Sequence, residues 1–108
     1  MKLIVKPAAR SDIIEQLRYY TDAGGGDVGE RFLAGTQDAL SSIAQAPLAG
    51  SPRRFDNPAL DGLRSRAIPG FETIRVYYLV QDEMIVVVRV LHGRRDLQNI
   101  LGDDDGAM

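Results

Sequence analysis

The sequence predicts an α+β fold, in which an N-terminal strand and an antiparallel helix hairpin precede an antiparallel β-meander covered by the hairpin on one face. Two segments with apolar residues at helical spacing are joined by Gly24, Gly25 and Gly26. Three apolar segments with strand-like alternation follow. The 108 residues, of which 44% are hydrophobic, suit one globular domain. We expect this domain to span residues 1–101 and the acidic tail, 102–108, to be flexible.

The first half begins with a short predicted strand over residues 3–5. Pro7 then suits the first position of a helix, because its missing N–H has no partner there. Ile13, Leu17 and Tyr20 recur at i, i+4 and i+7, which places them in one apolar stripe on the first helix. The glycine run ends this helix and acts as a hinge, because it lacks the strand-to-helix context of a phosphate-binding loop.

The second predicted helix starts at Asp27, which with Glu30 resembles a capping box. Phe32 and Leu40 lie on one apolar face of this helix. Pro47 ends it, and the glycine link lets the two helices fold back on each other. Residues 47–62 are rich in proline and glycine and predict a long loop without helix or strand.

Strands are predicted at 63–68, 72–80 and 84–92, joined by turns at 69–70 and 81–83. A last short turn or helix is expected at 95–101. Side chains alternate between the faces of a strand, so residues 84, 86, 88 and 90 form an apolar face that suits the helix hairpin. The face turned away from the helices is then expected to collect four arginines, Arg64, Arg66, Arg75 and Arg89.

Two interpretations of these arginines stay open. Each one alone is readily explained as a surface charge whose aliphatic stem lies along apolar neighbours. As a group they indicate a functional surface that meets an anionic or polar partner, since unpaired charge is costly to bury. The assignment assumes regular strands, because one bulge moves part of a strand to the other face.

An ordered series of short segments resembles the toxins of the RelE/ParE superfamily. The series runs from Val5, Pro7, Ala9, Asp12 and Ile13 through Phe32, Pro47 and Gly50. It continues with Leu63-Arg64, Pro69-Gly70-Phe71 and Val76-Tyr77-Tyr78, and ends with residues 89–96, Arg-Val-Leu-His-Gly-Arg-Arg-Asp. The later segments, and the last above all, are similar to the ParE branch.

The resemblance implies a strand, a helix hairpin and an antiparallel meander. It also implies the toxin of a type II toxin-antitoxin system, neutralised by a ParD-like antitoxin whose C-terminal segment wraps the toxin in a hetero-oligomer. ParE-type members inhibit DNA gyrase, whereas RelE-type members cleave messenger RNA on the ribosome.

The residues needed for RNA cleavage separate these two activities. Attack by a 2′-hydroxyl requires a base, an acid and cations that stabilise the charged phosphorane. RelE-type enzymes are similar to one another in using lysines and arginines with a C-terminal tyrosine or histidine. Arg75 and Arg94 or Arg95 match cationic positions, but Ile100 or Leu101 occupies the aromatic position, and no lysine follows Lys6.

His92 is the one histidine and the one side chain whose unperturbed pKa lies near neutrality. It is either a general base or a side chain that packs or hydrogen-bonds at the end of its strand. We therefore expect a non-enzymatic gyrase inhibitor. The alternatives are a ribosome-dependent messenger-RNA endonuclease and a degenerate toxin that only binds its antitoxin.

The candidate sites follow from these expectations. We expect no cofactor and no metal, because the aspartates at 103–105 read as solvated charges. No membrane association and no specific DNA binding by the toxin alone are expected, and the absence of cysteine favours the cytoplasm. The exposed helix edges should carry apolar side chains for the antitoxin. Target-binding candidates are Arg64, Arg66, Arg75, Arg89, His92, Arg94 and Arg95; antitoxin-binding candidates are Leu17, Tyr20, Phe32 and Leu40.

Overall fold

The computed structural model describes residues 1–52 and 60–93. The predicted loop 47–62 contains a short 3₁₀ turn and a two-residue strand, so the expectation of neither helix nor strand is wrong there. Arg94, Arg95, the predicted turn at 95–101 and the acidic tail lie outside the described residues. The elements are β1 (Lys2–Val5), α1 (Pro7–Gly24), α2 (Gly26–Gln45), the 3₁₀ turn (Pro47–Ala49), β2 (Ser51–Pro52), β3 (Arg64–Ile68), β4 (Phe71–Gln81) and β5 (Met84–His92).

One five-stranded sheet connects these strands in the order β1-β5-β4-β3-β2. Strands β2 to β5 pair antiparallel, whereas β1 runs parallel to β5, with Lys2 opposite Met84 and Val5 opposite Val87. The predicted α+β fold of hairpin and meander is confirmed. The N-terminal strand extends the meander into a mixed sheet.

The helices form the predicted hairpin across a single residue, Gly25, whose φ of +90° favours glycine. The predicted capping box is wrong, since α2 begins at Gly26 and its N-cap, Gly25, has no side chain to cap it. Asp27 forms an exposed ion pair with Arg31 instead, with Oδ2 and Nε 3.6 Å apart.

The main core lies between the helices and one face of the sheet. Phe32, Ala39 and Ile43 from α2 pack there against a face of β4 and β5. The rings of Tyr20, Phe32 and Phe71 are in contact, with centroids 4.8 to 5.3 Å apart, and Phe71 meets the other two rings edge to face. The opposite face of the sheet holds a second buried cluster: Leu60, Leu63, Tyr77, Leu79 and Leu91, with Val88 beside it.

A β-bulge in β5 changes which residues face the helices. Tyr77 lies opposite Arg89, but the next residue of β4, Tyr78, lies opposite Val87, so Val88 is extra. The extra residue shifts the alternation by one position. The predicted helix-facing set 84, 86, 88 and 90 is therefore wrong except at its last member. The residues that join the helix-side core are Ile85, Val87 and Val90.

Candidate functional site

The arginines of β3 and β4 lie on different faces of the sheet. Arg64 pairs across the strands with Tyr78, and Arg66 pairs with Val76. Both partners belong to the helix-side core, and directly opposed residues share a face. Arg75 lies opposite Leu91, on the other face.

The expectation that these arginines converge is therefore wrong for Arg64 and Arg66. Alternation along the sequence assigns the faces within one strand. Which residues of two neighbouring strands share a face is set by the register of the strands, and this register cannot be read from the sequence.

Arg89, another member of the predicted group, forms an ion pair with Asp12 of α1. Its Nε and Nη2 donate to Oδ2 and Oδ1 of Asp12, each at 2.7 Å. The N–H of Val90 donates to Asp12 Oδ2 at 2.9 Å. Asp12 is only 5% exposed. Arg89 lies opposite Tyr77, on the same face as Arg75, as predicted, but its charge is matched by a buried carboxylate.

The position of Asp12 follows from the length of β1. The last bond between β5 and the N-terminal segment runs from the Lys6 N–H to the Val87 carbonyl, at 3.0 Å. Beyond it, no strand of residues 1–52 and 60–93 pairs with β5 on that side. A buried N–H left without an acceptor destabilises a fold. Asp12 supplies that acceptor. Sequence analysis missed this role, although Asp12 stands three residues after the buried Ala9 on the same helix.

Arg64 and Tyr78 hold the turn that follows α2. Arg64 Nη1 donates to the carbonyls of Leu48 at 3.1 Å and Gly50 at 2.9 Å. The Tyr78 hydroxyl donates to the Pro47 carbonyl at 2.6 Å. Burial raises the pKa of Tyr78, against smaller opposing effects of the Gly50 backbone and the nearby Arg64 and Arg66. Three hydrogen bonds, to the carbonyls of Pro47, Leu48 and Gly50, therefore hold the turn against the sheet.

Arg75 and His92 are separated by the sheet. Arg75 Nε donates to Ser65 Oγ at 2.9 Å, on the face that carries the second cluster. His92 lies opposite Ile74, whose side chain belongs to the helix-side core. His92 therefore lies on the helix-facing side of the sheet, and the structure does not bring the histidine together with Arg75.

The candidate antitoxin contacts on the helices differ in exposure. Phe32 is fully buried, so the prediction that it contacts the antitoxin directly is wrong. Leu17, Tyr20 and Leu40 are half-buried. The exposed apolar side chains are others: Ile14 at 46%, Tyr19 at 63% and Leu33 at 39%. The expectation of apolar side chains beyond the needs of the core is confirmed.

Ile14 and Leu33 flank the seam between the two helices. The helices are in tight contact at Gly29, where a Cβ atom would lie 2.2 Å from Thr21 Oγ1 and 3.5 Å from Leu17 Cδ1. The helices are antiparallel, and Leu33 lies one turn after Gly29 in α2, whereas Ile14 lies one turn before Leu17 in α1. Tyr19 lies on the opposite flank of α1. The seam therefore presents apolar side chains from both helices.

The sequence of the chain matches the family described as "ParE toxin of type II toxin-antitoxin system, parDE" over residues 3–97. The chain belongs to the ParE toxin family. It is therefore a type II toxin-antitoxin toxin, as the resemblance implied. Among curated proteins, no sequence matches it. Within residues 1–52 and 60–93, neither α-helix combines the length and apolar character that a membrane span requires.

Solved structures share the fold at low sequence identity. The chain is similar to the "Chromosomal ParDE TA system from P. aeruginosa", with a TM-score of 0.70 and 16% identity over 85% of this chain and 95% of that one. It is also similar to the "YoeB/ParE toxin from Agrobacterium tumefaciens", with a TM-score of 0.54 and 17% identity over 85% of this chain and 98% of that one. These likenesses place the ParE-family chain in a known fold.

Proposed function

We propose that this ParE-family toxin inhibits DNA gyrase by binding it and that a ParD-like antitoxin neutralises the toxin. The observation that carries the proposal is the family match over residues 3–97. Gyrase inhibition is the activity implied by the resemblance to the ParE branch.

The positions of the charged residues support binding without catalysis. Cleavage of RNA by its own 2′-hydroxyl requires base, acid and cation around one phosphate. Arg75 and His92 lie on opposite sheet faces, and Arg89 is engaged by Asp12. A phosphate beside Arg75 therefore has no histidine on its side of the sheet.

The helix seam supports neutralisation by a helical antitoxin segment. Ile14 and Leu33 are exposed at 46% and 39%, with the half-buried Leu17 and Leu40 on the same two helices. An amphipathic helix binds such a seam by laying its apolar face between the two helices. The antitoxin is therefore proposed to cover Ile14 and Leu33.

The target is tested by expressing the toxin without an antitoxin and assaying the purified protein in parallel for DNA supercoiling and for messenger-RNA cleavage. We expect growth arrest, inhibition of gyrase supercoiling and intact transcripts in translating extracts. Cuts within translated codons that disappear in Arg75→Ala, but persist in the control Arg18→Ala on the exposed face of α1, would establish the endonuclease instead. Absence of growth arrest would indicate a degenerate toxin.

The antitoxin surface is tested by pull-down with the protein encoded beside the toxin. Ile14→Ser and Leu33→Ser should each weaken the complex about tenfold, because each removes an apolar contact of about 1.4 kcal/mol. Tyr19→Ser, a change at a more exposed apolar side chain on the other flank of α1, should leave affinity unchanged. An equal loss of affinity in all three variants would contradict the proposal that the antitoxin binds at the seam.

A further inference from the structure

A positively charged patch with one exposed apolar side chain lies beside the end of α2. We call it the β3–turn patch and define it as Leu48, Arg64 and Arg66. Residues 39–52 carry no charged side chain, and β3 carries two arginines and no acid. Arg64 and Arg66 are two residues apart on one face, about 7 Å along the strand. The patch is therefore a local positive region on a chain whose net charge is −2.

The arginines of the patch have no carboxylate partner within residues 1–52 and 60–93. Arg64 donates to two backbone carbonyls, those of Leu48 and Gly50. Arg66 forms no hydrogen bond or ion pair there, and the described ion pairs use Arg31 and Arg89 instead. Both side chains are half-buried. A cation that is partly removed from water and has no counter-charge is stabilised when an anionic partner binds beside it.

Leu48 is the apolar part of the patch. It is 67% exposed, at the tip of the 3₁₀ turn. The turn is held by Arg64 and by the Tyr78 hydroxyl, which bind the carbonyls of Pro47, Leu48 and Gly50. An apolar side chain on a fixed backbone loses little further entropy on binding, which favours its use as an anchor.

We propose that the β3–turn patch binds an acidic peptide segment of a protein partner, with carboxylates at Arg64 and Arg66 and an apolar side chain against Leu48. A nucleic acid fits the patch less well. Nucleic-acid sites depend on many cations and on aromatic side chains that stack with bases, and residues 39–52 and 64–68 contain no aromatic residue. The proposal goes beyond gyrase inhibition and holds whichever enzyme is the target.

The test titrates the ¹⁵N-labelled full-length toxin with three probes: a 16-residue peptide of glutamate and leucine, the same peptide with lysine replacing glutamate, and a 16-nucleotide single-stranded RNA. We expect saturable amide shifts at Leu48, Gly50, Arg64 and Arg66 with the acidic peptide only. Leu48→Ser and Arg66→Gln should each weaken its binding about tenfold, since each removes one anchoring contact. The control Arg18→Gln should leave the affinity unchanged.

Three outcomes overturn the proposal. These are an acidic peptide that does not bind, shifts that map to the helix seam instead of the patch, and an RNA whose binding is as sensitive to Arg66→Gln as that of the peptide. Leu48 is exposed and Arg66 holds no other part of the described chain, so both variants should fold. A gyrase assay on the same variants keeps the two proposals distinct, because loss of peptide binding with intact inhibition affects only this one.

Discussion

Arg89 of β5 and the two arginines of β3 belong to one sheet but differ in their partners. Arg89 meets the carboxylate of Asp12, which comes from 77 residues earlier in the chain. Arg64 and Arg66 meet backbone carbonyls or no described partner at all. All three side chains are half-buried. The fold thus gives Arg89 a carboxylate as counter-charge, whereas no carboxylate within residues 1–52 and 60–93 pairs with Arg64 or Arg66, and these two charges are the ones proposed for recognition.

The largest effect on stability is expected for Asp12→Asn. Asparagine keeps the shape of the side chain but removes the charge that Arg89 requires. Removal of one partner from a buried pair typically destabilises a protein by about 3–5 kcal/mol. Because the Arg89 side chain keeps 24% exposure, we expect about 3 kcal/mol, measured as the loss of unfolding free energy in urea.

The matched control for this change is Asp27→Asn. Asp27 also pairs with an arginine, but its side chain is 85% exposed and the atoms are 3.6 Å apart. An exposed pair of this type contributes less than about 0.5 kcal/mol. Equal losses for the two substitutions would show that the Asp12–Arg89 pair does not stabilise the fold.

A smaller effect is expected for Gly50→Ala, which disturbs the turn beside β3. A Cβ atom at this position would lie 2.1 Å from the Tyr78 hydroxyl oxygen, which is held by its hydrogen bond to Pro47. Overpacking of this type destabilises a protein by about 2 kcal/mol. The free energy of unfolding should therefore fall by that amount in denaturant titrations.

Tyr78→Phe tests the cause of that loss, because it removes the atom that the new methyl group would meet. Gly50→Ala should consequently be less destabilising in the Tyr78→Phe background than in the wild type. Strictly additive losses would show that the hydroxyl is not what excludes a side chain at position 50.

A further effect of Tyr78 should be confined to alkaline pH. Burial raises its pKa above the ordinary value of 10.0, so the folded state holds the phenolic proton more tightly than the unfolded state. The resulting stability is fully present below pH 10 and is lost as the pH rises through the folded-state pKa. Unfolding titrations across this range should show a steeper decline for the wild type than for Tyr78→Phe. If the unfolding free energies of the two proteins fall in parallel as the pH rises, Tyr78 is not the group responsible for the decline.

The elements were predictable because their signals are local. The spacing of Ile13, Leu17 and Tyr20 marks α1, and Gly25 is the residue that the hairpin link requires. The candidate sites were harder to predict because they depend on pairing between distant segments. The bulge at Val88 decides which residues of β5 face the helices, and the register of Arg64 with Tyr78 decides which face the arginines of β3 join. Neither has a local sequence signal.

Asp12 shows a second limit of sequence reasoning. Its partners on β5 lie more than 70 residues away, and its role depends on where β1 ends, since Val90 requires an acceptor only beyond that point. A single acidic residue in an amphipathic helix gives no sign of such a requirement. The family pattern included Asp12, but the reason for its presence is visible only in the assembled sheet.

The smallest effect on stability, and the sharpest test of the comparison, is expected for Arg66→Gln. Arg66 forms no hydrogen bond or ion pair in the described part of the chain, so its loss removes no contact that holds the fold. We expect the free energy of unfolding to change by less than about 0.5 kcal/mol, the usual range for such positions. Arg89→Gln should instead destabilise the protein about as much as Asp12→Asn, because it leaves a buried carboxylate without its cation. If urea titrations give the two arginine variants the same loss, Arg66 supports the fold as Arg89 does, and its charge is not reserved for a partner.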